Sequence, residues 1–181
     1  DVASVLPYML YVLKNCPDKQ ECNNIFTLLE AYIVRRFICN KISKNYSDLF
    51  TENLIGNQIL TYEKLCEYLS AKKPYESLHM PYDVEVEDGF CGNNSLKSEK
   101  ARGILYLLES KLRTDEQTVL RPFCDYTLEH LMPRKWEDNW PIPETLSEIE
   151  QLKFKENLNV AICTLGNMAI ITQGLNSSVS N

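Results

Sequence analysis

The sequence predicts a mainly α protein. A helical domain over residues 1–118 is followed by a small module over 119–181 that runs strand, long loop with a helix inside it, strand, helix. Three observations carry this. Before residue 118, apolar residues recur at the i, i+3, i+4 spacing of a helical face in three separate stretches. After it, two short runs rich in β-branched or aromatic residues take over, Phe123 to Leu131 and Met168 to Thr172. The hydrophobic set makes up 44% of 181 residues and charged residues 24%, which suits a globular chain able to bury a core.

Taken in order, Val2 to Leu13 is apolar enough for a short helix if Pro7 lies in its first turn. Asp18 with Glu21 three residues on resembles a capping box, and Ile25, Leu28, Leu29, Tyr32, Ile33, Arg36 and Phe37 then share one face of a helix from about Lys19 to Cys39. The Arg35-Arg36 pair is expected at its solvated or C-terminal end, where cations suit the helix dipole. The pattern weakens from Asn40 to Leu60, with Asn45 and Gly56-Asn57 as turn candidates. Thr61 to Ser70 reads as helix, and Lys72 to Gly92, with Pro74, Pro81 and an acidic run, as loop with at most a short helical turn; His79 is expected to be exposed there.

A further helix is expected from about Leu96 to Leu112. Its basic residues Lys97, Lys100, Arg102, Lys111 and Arg113 outnumber Glu99 and Glu109, which marks either a solvated face or a phosphate-facing one. Phe123 to Leu131 is a strand that Pro133 ends. Arg134 to Pro143 is a loop whose Trp136 and Trp140, like Met168, are assigned to packing. Thr145 and Glu148 mark a capping box for a helix to about Asn157; Gly174 turns the second strand into a helix starting at Asn176.

The net charge of −6 gives no global attraction for nucleic acid, so DNA binding requires local patches or a partner. Seven scattered cysteines without a CxxC pair suit reduced thiols in a cytoplasmic protein. No run of about 18 apolar residues marks a membrane span and no signal peptide is visible.

The chemistry concentrates near the C-terminus. Hydrolysis of a phosphodiester needs a base for water and a hard cation for the leaving oxygen. His130 suits the first task, and the oxygens of Glu129 and Asn176 suit the second. Adjacent strand residues point to opposite faces, so Glu129 and His130 can face one ion only if the strand ends or distorts there.

Glu129-His130-Leu131-Met132-Pro133 resembles the (D/E)H(I/L)xP first motif of HNH nucleases, and Leu165-Gly166-Asn167 with Leu175-Asn176 resembles their second strand and helix. More narrowly, the set is similar to the C-terminal nuclease region of GmrSD-type, modification-dependent restriction enzymes, with their EHIxP, LGNLTLL and LNSxxSN motifs. Arg35-Arg36-Phe37-Ile38-Cys39 and the helix Ile104 to Glu109 are similar too. The resemblance implies that residues 119–181 form a ββα-metal (HNH-like) module and that the chain is a metal-dependent DNA endonuclease of bacterial defence. It makes His130 the general base, Glu129 and Asn176 the ligands of a divalent metal, and Asn167 the residue that orients the loop or the histidine. Asn181 lies where the last motif ends. Magnesium is favoured over zinc by the oxygen-rich set. In that family an N-terminal half binds and hydrolyses nucleotide; residues 1–181 lack it, so the chain is expected to be a fragment whose partners are DNA and that half. The alternatives are a non-catalytic interaction module and a nucleic-acid-binding module with structural zinc.

Overall fold

A computed structural model describes residues 2–91, 98–114, 119–137 and 139–179. The chain divides into two compact units, Asp1–Val86 and Glu87–Asn181. This division precedes the 118/119 boundary read from the sequence because the helix before that boundary packs on both strands that follow it.

In the first unit, a 3₁₀ turn at Val2–Val5 leads into α1 (Leu6–Asn15), which accommodates Pro7 in its first turn. Tyr8 and Val12 face the core, and the Tyr8 hydroxyl donates to the Ile59 carbonyl at 2.8 Å. The long helix α2 (Lys19–Ile38) starts at Asp18, whose carboxylate accepts from the Gln20 N–H. Glu21 does not close the expected box. Its carboxylate accepts instead from the N–H of Tyr62, the first residue of α3 (Tyr62–Ser70), so one side chain ties two helix starts together. The weakly patterned stretch between them winds as a π-helix, Asp48–Ile55, that buries Leu49, Phe50 and Leu54. A Cβ on Gly56 at its end would lie 2.1 Å from the Glu52 carbonyl oxygen, so only glycine fits. Asn45 does adopt the left-handed turn conformation, at φ 69°.

The Arg35-Arg36 pair lies in the last turn of α2, as read, but Arg36 is not solvated. Arg36 has no accessible surface, and its guanidinium lies 5.4 Å from the ring centres of both Tyr32 and Tyr46. It donates to the Tyr46 hydroxyl and to the carbonyls of Ile42, Ser77 and His79, at 2.8–2.9 Å. Arg35 donates to the Pro81 carbonyl, and the Tyr32 hydroxyl to that of Leu78. The segment from Ser77 to Pro81 is thus held by its own carbonyl oxygens against α2. His79, expected to be exposed, is 2% exposed, and its Nε2 donates to Glu85 Oε2 at 2.9 Å. The stretch read as loop also contains a full helix, α4 (Asp83–Cys91), whose first-turn carboxylates suit the dipole.

Partial burial raises the Glu85 carboxyl, but bonds from His79, the Tyr82 N–H and Lys41 reverse this and hold it at about 2. The folded value lies below the ordinary one near 4.3, so this contribution to stability is present above that value and is lost as pH falls toward 2. Melting curves between about pH 6 and 3 should show an acid loss that Glu85→Gln reduces. Arg36→Met should cost about 1–3 kcal/mol, read as a lower denaturant midpoint, because it leaves the buried His79 carbonyl and two part-buried ones, of Ile42 and Ser77, without this donor.

In the second unit, α5 (Ser98–Leu112) packs on a two-stranded antiparallel sheet of β1 (Tyr126–His130) and β2 (Met168–Thr172). Ala101 and Ile104 are buried, and Tyr106 meets Phe123 and Tyr126 edge-on at 5.4 and 5.9 Å. β2 matches its expected bounds, whereas β1 starts three residues later than read, after a 3₁₀ turn at Phe123–Asp125. Between them runs α6 (Glu148–Ile162), opened by a capping box of Ser147 and Glu150, two residues later than read, and extending past Asn157. Trp136 is fully buried and donates from Nε1 to Asn159 at 2.8 Å, tying the loop to α6; Met168 is buried too, whereas Trp140 is 47% exposed. The last helix, α7 (Gln173–Val179), follows β2 directly, so Gly174 lies inside it and Asn176 is not its cap. No helix among the described residues is long and apolar enough to cross a membrane, and all seven cysteines are free thiols.

Candidate active site

Pairing in the sheet is continuous from Tyr126↔Thr172 to His130↔Met168. The ladder shows no distortion between Glu129 and His130, the strand ends at His130, and alternation along it sends their side chains to opposite faces. Thr127 and Glu129 share one face. Above them stands α7, whose Asn176 donates from Nδ2 to Glu129 Oε1 at 2.6 Å and to Thr127 Oγ1 at 3.2 Å. A carboxylate and a carboxamide 47 residues apart in sequence thus meet directly.

Two hard oxygen donors can be offered to a cation from this pair. The carboxamide presents its N–H₂ to the carboxylate, the favourable pairing between these two groups alone, and a half-turn of the amide presents Oδ1 instead. Among the described residues, no group of three or more His, Cys, Asp or Glu side chains gathers to hold a metal.

His130 ends the strand, partly buried on the other face. Burial, and then the Arg134 guanidinium, push its pKa below the ordinary value, while the Glu129 charge pulls it back in part. The shift favours the neutral ring, the form with a lone pair that can accept a proton. Arg134 Nε lies 3.5 Å from His130 Nε2.

Asn167 belongs to the turn before β2 and spends its whole side chain on backbone. Its Oδ1 accepts from the Met132 N–H at 2.8 Å, and its Nδ2 donates to the carbonyls of Met132 and Ile162 at 2.9 and 3.1 Å. The Leu131 N–H donates to the Asn167 carbonyl at 2.8 Å, which adds one bond beyond the ladder. Asn167 therefore fixes the segment that leaves His130. Its side chain makes no bond to Glu129 or His130.

The structure thus brings Glu129 and Asn176 together, sets His130 one residue away on the opposite face, and gives Asn167 to the loop. Asn181 lies outside the described residues. Sequence reading missed Thr127 and Arg134. Strand alternation, two residues before Glu129, pointed to the first; Arg134 had only its place after Pro133. Two of the basic residues read there are engaged within the unit: Arg102 lies 4.4 Å over the Phe123 ring and donates to the Tyr126 carbonyl, and Arg113, just past α5, pairs with Glu109.

The C-terminal domain of GmrSD restriction endonucleases matches residues 80–181, more than half of the chain, and the chain belongs to that family. No curated protein and no solved structure matches it.

Replacing Asn167 with Ala leaves the Met132 N–H and two carbonyls without their partner. A loss of about 1–3 kcal/mol is expected, read as a lower melting temperature.

Proposed function

We propose that this chain is the nuclease part of a metal-dependent DNA endonuclease of the HNH type, acting in bacterial defence against foreign or modified DNA. The observation that carries the reading is the contact between Asn176 and Glu129, which joins the last motif to the first across 47 residues at the strand that ends in His130. Family membership supports the endonuclease class. Defence, modified DNA and an N-terminal nucleotide-hydrolysing partner half come from resemblance.

In this mechanism Glu129 and Asn176 hold a divalent ion. Magnesium fits, because it accepts one carboxylate and one neutral oxygen while keeping several waters. When bound, the ion neutralises charge on the scissile phosphate and on the departing oxygen. The remaining work falls to protein groups. His130 takes a proton from water as the water oxygen bonds to phosphorus and the bond from phosphorus to the leaving oxygen breaks. Thr127 holds the Asn176 amide beside Glu129, and Asn167 fixes the chain leaving His130.

The intact protein, given plasmid DNA and Mg2+, is expected to nick or linearise it. His130→Ala should lower cleavage roughly 10²–10⁴-fold. Glu129→Gln should move the Mg2+ dependence to higher concentration, because a neutral oxygen replaces the only charged ligand. Equal cleavage by wild type and His130→Ala would remove the catalytic reading and leave an interaction module.

A further inference from the structure

We propose that Cys16 and Cys22 are a redox modification site, at which hydrogen peroxide converts the two thiols into a disulfide that clamps the end of α1 to the start of α2. Both residues precede the region matched by the family, and the inference is independent of the nuclease reading.

The turn between two helices brings the pair together. Cys16 directly follows α1, and Cys22 lies in the opening turns of α2. The Cys22 thiol donates to the Cys16 carbonyl at 3.5 Å, and the Cys16 thiol donates to the Asp18 carbonyl at 3.5 Å. A thiol is a weak donor, so neither bond holds its sulfur firmly. The backbone on both sides is better fixed. The Cys16 N–H donates to the Val12 carbonyl at 2.8 Å, and the Cys22 N–H to that of Asp18 at 3.0 Å. The helices thus hold the two residues in place while their side chains can turn toward each other.

The two sulfurs differ in access. Cys16 is partly exposed and Cys22 is buried, so an oxidant in solution meets Cys16 first. Burial, and then the Cys16 thiol beside it, push the Cys22 thiol above its ordinary value, which keeps Cys22 protonated until a target is adjacent. In the first step the Cys16 sulfur bonds to one peroxide oxygen, the O–O bond breaks, and the other oxygen leaves as water with the thiol proton, giving a sulfenic acid. The Cys22 sulfur then bonds to the Cys16 sulfur. The S–O bond breaks, and the hydroxyl leaves as a second water with the Cys22 proton. Two electrons pass from the thiols to one peroxide, and proximity compensates for the poor nucleophile in the second step.

The clamp closes where three helices meet. Glu21, next to Cys22, accepts from the Tyr62 N–H at the start of α3. A covalent link across this point restricts the unfolded chain and stabilises the folded one.

The intact protein is treated with hydrogen peroxide, its remaining thiols are blocked, and it is digested with trypsin without reduction. Cleavage after Lys14, Lys19 and Arg35 separates residues 15–19 from 20–35 in the reduced protein, whereas the disulfide keeps them joined. The joined pair should appear by mass spectrometry with two hydrogens fewer than the sum of its parts. The melting temperature should rise by roughly 5 °C, fall back with dithiothreitol, and not rise in Cys16→Ser. Oxidation of the exposed Cys91 and Cys124 without the joined pair overturns the proposal, as does a link from Cys16 to any other cysteine. A joined pair with an unchanged melting temperature overturns the clamp.

Discussion

The register of β1 against β2 is the constraint on which the candidate site depends. Side chains alternate along a strand with period two, so sliding β1 by one residue would exchange Glu129 and His130 between faces. Asn176 would then meet an imidazole instead of a carboxylate. The register is fixed from both ends. Tyr126 and Met168 are buried at opposite corners of the hairpin, and α5 packs against both strands. Beyond the last pair, the Leu131 N–H still finds the Asn167 carbonyl, so backbone pairing continues one bond past His130. Burial of ordinary apolar side chains thereby sets which chemistry faces which way.

Asn167 extends this control past the strand. An asparagine at a turn before a strand commonly bonds its own neighbourhood. Here it reaches 35 residues back and satisfies both backbone groups of Met132. The segment after His130 gains the order of a strand pair without being one. Neither bond touches a reacting atom, yet both bear on where the imidazole and the residues after Pro133 lie. Arg36 plays a comparable part in the first unit, where one buried cation orders a proline-containing loop through its carbonyls. Its four acceptors are uncharged, so the charge is spread over dipoles and two aromatic faces without a counter-ion.

Local signals made much of this readable in the sequence. Both strands announced themselves by β-forming residues bounded by Pro133 and by Gly174, and α2 and α5 by apolar residues on one face. Errors arose where two local patterns competed or where the partner is distant. Thr145 with Glu148 and Ser147 with Glu150 have the same capping spacing, and only the structure shows that the second pair forms the box. Arg36 sits at a helix C-terminus, where the dipole already explains a cation, so nothing nearby demanded the carbonyls about 40 residues away. His79 was misread likewise, since a proline-rich stretch suggests solvent and the helix carrying Glu85 was not foreseen. Within the site, residue types were legible and their grouping was not. Glu129 and His130 are neighbours in sequence that the strand separates, whereas Glu129 and Asn176 are far apart and touch.

That separation has a chemical consequence. An imidazole is itself a good ligand for many divalent ions, and a base bound to a cation has lost the lone pair it needs. In the proposed mechanism the histidine must stay clear of the ion, and adjacent positions on a strand do not face the same way. Such a base must also stay neutral. Partial burial and then the Arg134 guanidinium hold its pKa below the ordinary value, against the pull of the Glu129 charge. The proposed division of labour thus asks nothing of the strand beyond its regular alternation, and asks of the ring's surroundings only that they oppose its charge.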